Sequence, residues 1–187
     1  MVRAHSTQQF VFLLVLLGAS PLLAADAWLQ LQGDALRSGN APAAAVPDSL
    51  GLLGAVPLTD GVYAAPAVAD GTVYVLDGSG VVHAIDARTL AVRWTFATPG
   101  GPGNVNNTSS PAVVGPYLHL GAMSGYYYVL DRESGKVVRE LDCGEPIFAS
   151  PAASSERVYF ATLGARVYSV EPDGQVAWTW DFVREVV

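Results

Sequence analysis

Apolar and polar residues alternate in short runs over most of the chain, which is the pattern of half-buried β-strands. The first group of runs covers residues 63–69, 72–76, 81–86 and 91–97. Asp70-Gly71 separates the first two runs, and Asp-Gly between apolar, β-rich runs favours a hairpin turn. Each run has the length of an ordinary strand. The pattern therefore predicts four antiparallel strands in succession.

This group of four strands is repeated twice. Pro66 recurs as Pro111, 45 residues further on, and as Pro151 after another 40 residues. Four short strands in a repeat of about 40 to 45 residues are typical of a β-propeller blade. No segment after the first 25 residues has a sustained helical period. We therefore predict an all-β fold, a β-propeller of four-stranded blades. Three blades are present, so the chain is an incomplete propeller or a fragment.

The first 25 residues follow a different pattern. A positive charge at Arg3 precedes an apolar run over 10–19, and small residues follow Ser20-Pro21. This is the layout of a secretory signal peptide, with cleavage after residue 25 or 27. A membrane anchor is the alternative, but crossing the hydrocarbon needs about 20 apolar residues, roughly twice the length of this run. We predict a periplasmic or secreted protein with no membrane span after cleavage.

These patterns divide the chain into six segments. They are a signal peptide at 1–25, an N-terminal strand and linker at 28–62, blade 1 at 63–98, blade 2 at 104–142, blade 3 at 145–182, and the start of a missing blade at 183–187. Propellers close into rings of about four to eight blades. The missing blades would come from the rest of a longer chain or from self-association of arcs.

Composition excludes several classes of partner. The net charge of −7 argues against nucleic acid and anionic membrane surfaces, because both recruit basic patches.

Cys143 is the single cysteine of the sequence, so no internal disulfide staples the fold. His83 and His119 lie in predicted strands without a second ligand at metal-binding spacing. We therefore predict no metal site and no catalytic residue.

Two pieces of the sequence resemble the pyrroloquinoline quinone (PQQ)-type repeats of quinoprotein-like β-propellers. One is the repeat itself, which begins with Ser-Pro-Ala, has a strand that ends in Ala-x-Asp, and continues to a Trp. The other is the lead-in from Trp28 to Gly39. In that family the motif Ala-x-Asp-x-x-x-Gly-Lys-x-x-Trp locks blades, with the Trp packed between neighbours. The resemblance assigns this structural role to Ala84, Asp86, Trp94, Asp131, Gly135, Glu171, Gly174 and Trp178.

The resemblance implies two alternative functions. Some members are PQQ-dependent alcohol or sugar dehydrogenases that bind the quinone and Ca²⁺ centrally, whereas others, such as the outer-membrane assembly propeller, bind no cofactor. The adjacent-cysteine ring of such enzymes needs two neighbouring Cys, and a Ca²⁺ site needs six to eight converging oxygen ligands. We predict an exported, non-catalytic protein-binding or assembly scaffold with no cofactor, closest to the non-enzymatic members. Its partners are other proteins, with an envelope complex as one candidate. The alternative is the N-terminal fragment of a PQQ-dependent quinoprotein alcohol or sugar dehydrogenase.

Candidate binding residues are expected where the repeats differ. Asp86, Asp131 and Glu171 occupy the same position in successive blades, so we interpret them as structural rather than as a metal-binding or acid/base set. The polar stretch before the second blade does not repeat, and loops on a rigid scaffold concentrate function. We predict a binding loop there, although such residues also make turns. Its members are Asn104, Asn106, Asn107, Thr108 and Ser109.

Overall fold

The computed structural model describes residues 27–40, 51–52 and 54–186. The predicted signal peptide at 1–25 and part of the linker lie outside the described residues. Among the described residues the strands form three separate four-stranded sheets, and every pairing is antiparallel. No helix in this part of the chain is long and apolar enough to cross a membrane. The all-β prediction and the three four-stranded blades are confirmed.

Each sheet follows the chain without a crossover and forms one blade. Blade 1 contains β1 (Ala67–Ala69), β2 (Thr72–Leu76), β3 (Val81–Asp86) and β4 (Val92–Ala97). Blade 2 contains β5 (Ala112–Val114), β6 (Tyr117–Gly121), β7 (Tyr126–Asp131) and β8 (Val137–Asp142). Blade 3 contains β9 (Ala152–Ala153), β10 (Val158–Ala161), β11 (Arg166–Val170) and β12 (Val176–Asp181). A 3₁₀ turn covers Gly101–Gly103 between blades 1 and 2.

The end of the described chain is helical. Residues Phe182–Val186 form a short α-helix, α1, directly after β12. The start of a missing blade, which the sequence places at 183–187, therefore coincides with a helical turn in the described residues. That a further blade follows stays a prediction.

The blades pack face to face. Successive side chains of a strand point to opposite faces, so neighbouring residues pack in different interfaces. Tyr127 and Tyr128 are neighbours in β7 and are both fully buried. Tyr128 lies in the cluster shared with blade 1, whereas Tyr127 lies in the cluster shared with blade 3. This follows from the period of two, which sends successive side chains to opposite faces of a sheet. The Tyr127 ring stacks on Phe160, with 3.7 Å between centroids.

The N-terminal lead-in crosses the innermost strands of all three blades. Trp28 pairs with Val68 of β1 through backbone bonds of 2.9 and 2.8 Å. The Leu29 carbonyl accepts the Val113 N–H of β5 at 2.7 Å. The Gln30 side chain makes two bonds of 2.9 Å with Ala153 of β9. Three consecutive residues thus bond to the innermost strands of three consecutive blades.

Candidate functional site

The predicted binding loop lies at one end of the blades, which we call the apical end. It connects β4 of blade 1 with β5 of blade 2, and the antiparallel order places the β2–β3 type turns at that same end. The turns of the β1–β2 and β3–β4 type lie at the opposite end. Residues 104–109 therefore share the apical end with the turn of blade 1 that includes Gly78 and the turn of blade 2 that includes Met123.

The two buried asparagines of the loop bond to the fold itself. Asn104 donates through Nδ2 to the carbonyl and hydroxyl of Thr98, at 2.9 and 2.7 Å. Asn107 donates to the Gly78 carbonyl at 3.2 Å and accepts the Met123 N–H at 2.9 Å. Asn107 therefore ties the apical turn of blade 1 to that of blade 2. Asn104 Oδ1 accepts no hydrogen bond from the described residues.

The second half of the loop joins blade 3. Ser109 donates to the Ala149 carbonyl at 3.0 Å and accepts the Gly121 N–H at 3.1 Å. Thr108 donates to the Phe148 carbonyl at 3.5 Å. Asn106 is exposed and has a left-handed backbone with φ of 56°. Ligand binding by this loop stays a prediction, and its accessible part is the tip around Asn106.

The repeated carboxylates serve the turns of their own blades. Asp86 accepts the Arg88 and Thr89 N–H groups at 3.0 and 2.8 Å, and Asp131 accepts the Ser134 N–H at 2.8 Å. Hydrogen bonds, from Arg93 first of all, hold the pKa of Asp86 well below its usual range. Bonds from Ser134 likewise lower the pKa of Asp131.

The third carboxylate of the set, Glu171, pairs with Arg157 of its own blade. The three groups therefore bond within separate blades, and they are not brought together into one acidic site. Among the described residues no group of three or more His, Cys, Asp or Glu side chains is placed to hold a metal ion.

Trp94 and Gly135 lie together at the interface between blades 1 and 2. The indole of Trp94 donates to the Arg132 carbonyl at 3.0 Å. A Cβ added to Gly135 would lie 2.6 Å from the Trp94 ring, so only glycine lets the ring approach this closely. Gly174 has the equivalent place beneath Val129 of blade 2. In blade 3, by contrast, the equivalent Trp178 is 47% exposed, on the face of the blade that is turned away from blade 2.

His119 makes an interblade bond that sequence reasoning missed. Tyr74 of blade 1 donates to the Arg132 carbonyl at 3.2 Å, and His119, 45 residues after Tyr74, donates through Nε2 to the Pro172 carbonyl at 2.9 Å. Its Nδ1 lies 3.2 Å from the Tyr127 hydroxyl, which can donate to it. Burial lowers the pKa of His119 to about 4. The signal was present in the repeat, since His119 occupies the place of a Tyr.

Three further polar side chains are buried, namely His83, Asp77 and Cys143. His83 Nε2 lies 3.0 Å from the carboxylate of Asp77. Burial alone would raise the pKa of Asp77, but bonds from His83, Ser79 and Val81 outweigh it and lower the pKa. Cys143 is buried, and this burial raises the pKa of its thiol to about 11. Such a thiol is a poor nucleophile at neutral pH.

Gly135 and Gly71 provide a matched pair that measures this interface. Both have left-handed backbones, with φ of 71° and 70°, but an added Cβ at Gly71 would contact nothing within 4 Å. We expect Gly71→Ala to cost about 1 kcal/mol of unfolding free energy from backbone strain. Gly135→Ala should cost about 3 kcal/mol, because overpacking against Trp94 is added. Urea unfolding of both variants gives the difference, and equal losses would contradict the contact.

The family comparison agrees with this geometry. Residues 55–146 and 111–187 match the family model described as outer membrane protein assembly factor BamB. Together the two matches cover most of the sequence. The chain belongs to this family of PQQ-type β-propellers. The BamB protein of Legionella pneumophila (strain Paris) is 26% identical over 121 residues, which cover 60% of this chain and 30% of that protein. The chain thus spans less than a third of the length of this relative.

Solved structures of two kinds of protein share the fold. BamB from Moraxella catarrhalis has a TM-score of 0.55 at 22% identity, over 65% of this chain and 37% of that one. A quinohemoprotein alcohol dehydrogenase from Comamonas testosteroni has a TM-score of 0.65 at 21% identity, over 83% and 27%. A europium-containing methanol dehydrogenase has a TM-score of 0.71 at 16% identity, over 82% and 31%. At these identities the likeness establishes the propeller fold alone.

Proposed function

We propose that the protein is a non-catalytic scaffold that binds other proteins in an envelope assembly complex. The observation that carries the proposal is the match to the assembly-factor family at both 55–146 and 111–187. The hydrogen bonds and ion pairs of the carboxylates and of His119 also support it. Asp86, Asp131 and Glu171 bond within their own blades, and His119 bonds across a blade interface. These groups serve the propeller itself.

Export to the periplasm is part of this proposal. It is supported by the positive start, apolar run and small residues at 1–27 of the sequence. The family's description as an outer membrane assembly factor also supports a place in the envelope. In that location the partners would be other proteins of the assembly complex, met on the exposed loops of the blades.

The alternative is the N-terminal part of a PQQ-dependent dehydrogenase. Its support is the likeness in fold to the alcohol and methanol dehydrogenases. Such an enzyme would hold PQQ and Ca²⁺, and the cation prefers several converging oxygen ligands that include carboxylates. The described residues do not fit this need well, because Asp86, Asp131 and Glu171 are committed to separate blades and Cys143 has no cysteine neighbour.

Deletion in the encoding bacterium tests the scaffold proposal. We expect lower amounts of outer-membrane barrel proteins, restored by the wild-type gene, and cofractionation of the protein with the assembly complex after mild crosslinking. The matched experiment adds PQQ and Ca²⁺ to the purified protein and follows the quinone absorbance and dye-linked alcohol oxidation. Unchanged barrel levels together with saturable PQQ binding and turnover would overturn the proposal in favour of the dehydrogenase.

A further inference from the structure

Five exposed apolar side chains lie in the apical loops of the three blades, and we call them the apical strip. They are Val62, Tyr63, Val105, Phe148 and Leu163. Their exposed fractions run from 44% at Phe148 to 65% at Leu163. Four lie in the segments that lead into the innermost strands, and Leu163 lies in the β10–β11 turn. Three other exposed apolar side chains at this end, Phe182, Val183 and Val186, belong to α1 and are not part of the strip. Large apolar side chains that cluster at a surface mark an interaction site more often than single ones do.

The first half of the strip is continuous through hydrogen bonds between its supporting segments. The Gly61 carbonyl, next to Val62 and Tyr63, accepts the Gly78 N–H at 2.7 Å. The Gly78 carbonyl in turn accepts the Asn107 N–H at 3.2 Å, two residues after Val105. The segments that carry the strip on blades 1 and 2 are therefore joined through a single apical turn.

The second half is joined in the same way. Thr108 donates to the carbonyl of Phe148 itself at 3.5 Å. The Pro146 carbonyl accepts the Leu163 N–H at 2.8 Å. A chain of direct bonds therefore connects the strip from blade 1 to blade 3. A rigid support of this kind limits the ordering cost of binding.

The apical end contains two long uncharged stretches, which the opposite end lacks. The turns at the opposite end carry charges of both signs, at Asp70, Asp86, Arg88, Asp131, Arg132, Glu133, Lys136, Glu156, Arg157, Glu171 and Asp173. The apical stretches 99–111 and 122–126 contain no Asp, Glu, Lys, Arg or His. Depletion of charge with retention of aromatic residues is typical of the core of a protein–protein interface.

The other apical segments carry charges on eight residues, and five of these eight residues are in ion pairs. The eight are Asp60, Asp77, Asp142, Glu145, Arg166, Asp181, Arg184 and Glu185, and the paired ones are Asp77, Glu145, Arg166, Asp181 and Arg184. Asp77 is buried against His83. Arg166 lies 3.7 Å from Glu145 and 3.6 Å from Asp181. Asp60 is exposed and accepts the N–H of Gly61. The uncharged stretch 99–111 in the middle of the strip therefore offers an apolar side chain, amides, hydroxyls and backbone groups, and charged residues of both signs lie in the neighbouring segments.

We infer that the apical strip is the docking surface for an uncharged, apolar segment of a partner protein. This inference rests on the proposed scaffold function and names the surface it would use. A lipid surface fits less well, because helices and patches that bind membranes carry Lys or Arg around the apolar face, and residues 99–111 carry neither. A charged partner segment would bury its charges unpaired at the centre, which is costly.

Site-specific photo-crosslinking in the encoding bacterium tests the surface. p-Benzoylphenylalanine replaces Tyr63 in one full-length variant and Phe148 in another, and the control carries it at Val138. Val138 is exposed to a similar degree, at 43%, but lies in β8, on the outer strand of blade 2. We expect both strip positions to give an adduct with the same envelope protein, and the control position to give none. Mass spectrometry should map both adducts to an uncharged, apolar segment of that protein.

A charge variant supplies the second readout. Val105 is 47% exposed and Val138 is 43% exposed, so Val105→Asp and Val138→Asp are matched. Val105→Asp should lower the adduct yield from position 148 by about tenfold, because an unpaired charge would be desolvated on docking. Val138→Asp should leave the yield unchanged. Circular dichroism of the purified variants checks that both retain the fold.

Other outcomes separate this inference from the scaffold proposal. Adducts that form only at position 138 would place the partner elsewhere, overturning the strip while leaving the scaffold intact. Adducts between two copies of this chain, or flotation with vesicles of phosphatidylethanolamine and phosphatidylglycerol that Val105→Asp abolishes, would also overturn the strip as a protein-docking surface. If no position gives a protein adduct and deletion leaves barrel proteins unchanged, both the surface and the scaffold function are wrong.

Discussion

Replacing Trp94 with alanine should lower the unfolding free energy by about 3 kcal/mol, toward the low end for large aromatic truncations in cores because the ring is only partly buried. The residue contributes its packing against Gly135 and one hydrogen bond to the Arg132 carbonyl, at 3.0 Å. Trp94→Phe should recover most of the loss, with a remaining deficit of about 1 kcal/mol for the hydrogen bond. Urea unfolding followed by circular dichroism measures each value.

Trp178 is the control for this experiment. It has the equivalent position in blade 3, but it is 47% exposed in the described structure and has no neighbouring blade against its ring. Trp178→Ala should therefore cost less than about 1 kcal/mol in this chain. Equal losses for the two tryptophans would mean that the Trp178 face is covered in solution, and light scattering would then report whether a second copy covers it.

His119 should make the stability of the protein fall as the pH drops from about 6.5 to about 4. Its pKa is about 4 in the folded protein, because burial disfavours the charged form, against 6.5 for the free side chain. Below pH 6.5 the unfolded chain binds a proton that the folded chain does not, so unfolding is favoured. The full difference corresponds to a loss on the order of 3 kcal/mol. Above pH 6.5 His119 is neutral in both states and contributes no pH dependence.

The matched variant for this prediction is His119→Gln. An amide can still donate to the Pro172 carbonyl but does not titrate, so the slope between pH 6.5 and 4 should flatten while stability at pH 7.5 changes little. Stability curves of wild type and variant at several pH values give the difference directly. Carboxylates such as Asp77, with a lowered pKa, lose their contribution only at lower pH. Parallel curves across the window would show that the His119 contact does not control the acid response.

Most of the fold follows from local pattern in the sequence. The predicted strands 72–76 and 81–86 have the same bounds as β2 and β3. The predicted strand 63–69 is shorter in the structure, at Ala67–Ala69, for a physical reason. Pro66 has no N–H to donate to the ladder, and the Ala65 N–H donates across the interface to the Ser110 hydroxyl at 2.9 Å. Local alternation does not reveal such bonds between blades.

The candidate site was harder to predict because its side chains form hydrogen bonds with residues far away in the sequence. Asn107 reads as a polar loop residue, but its amide meets the Gly78 carbonyl, 29 residues earlier in the chain. Nothing in the sequence around Asn107 signals that partner. The repeat places His119 where Tyr74 stands, but only the structure shows that both side chains donate to a carbonyl of the next blade. The apical strip became visible only when the antiparallel order placed Tyr63, Phe148 and Leu163 at one end.

The lead-in across the three blades has a consequence for the order of events during synthesis. Gln30 bonds to Ala153, and 123 residues separate them in the chain. The lead-in therefore leaves the ribosome early, whereas its partner on blade 3 is made 123 residues later. Contacts with such large sequence separation form slowly, because chain closure must precede them. Residues 28–30 would then bond to the innermost strands last, after the three blades have formed.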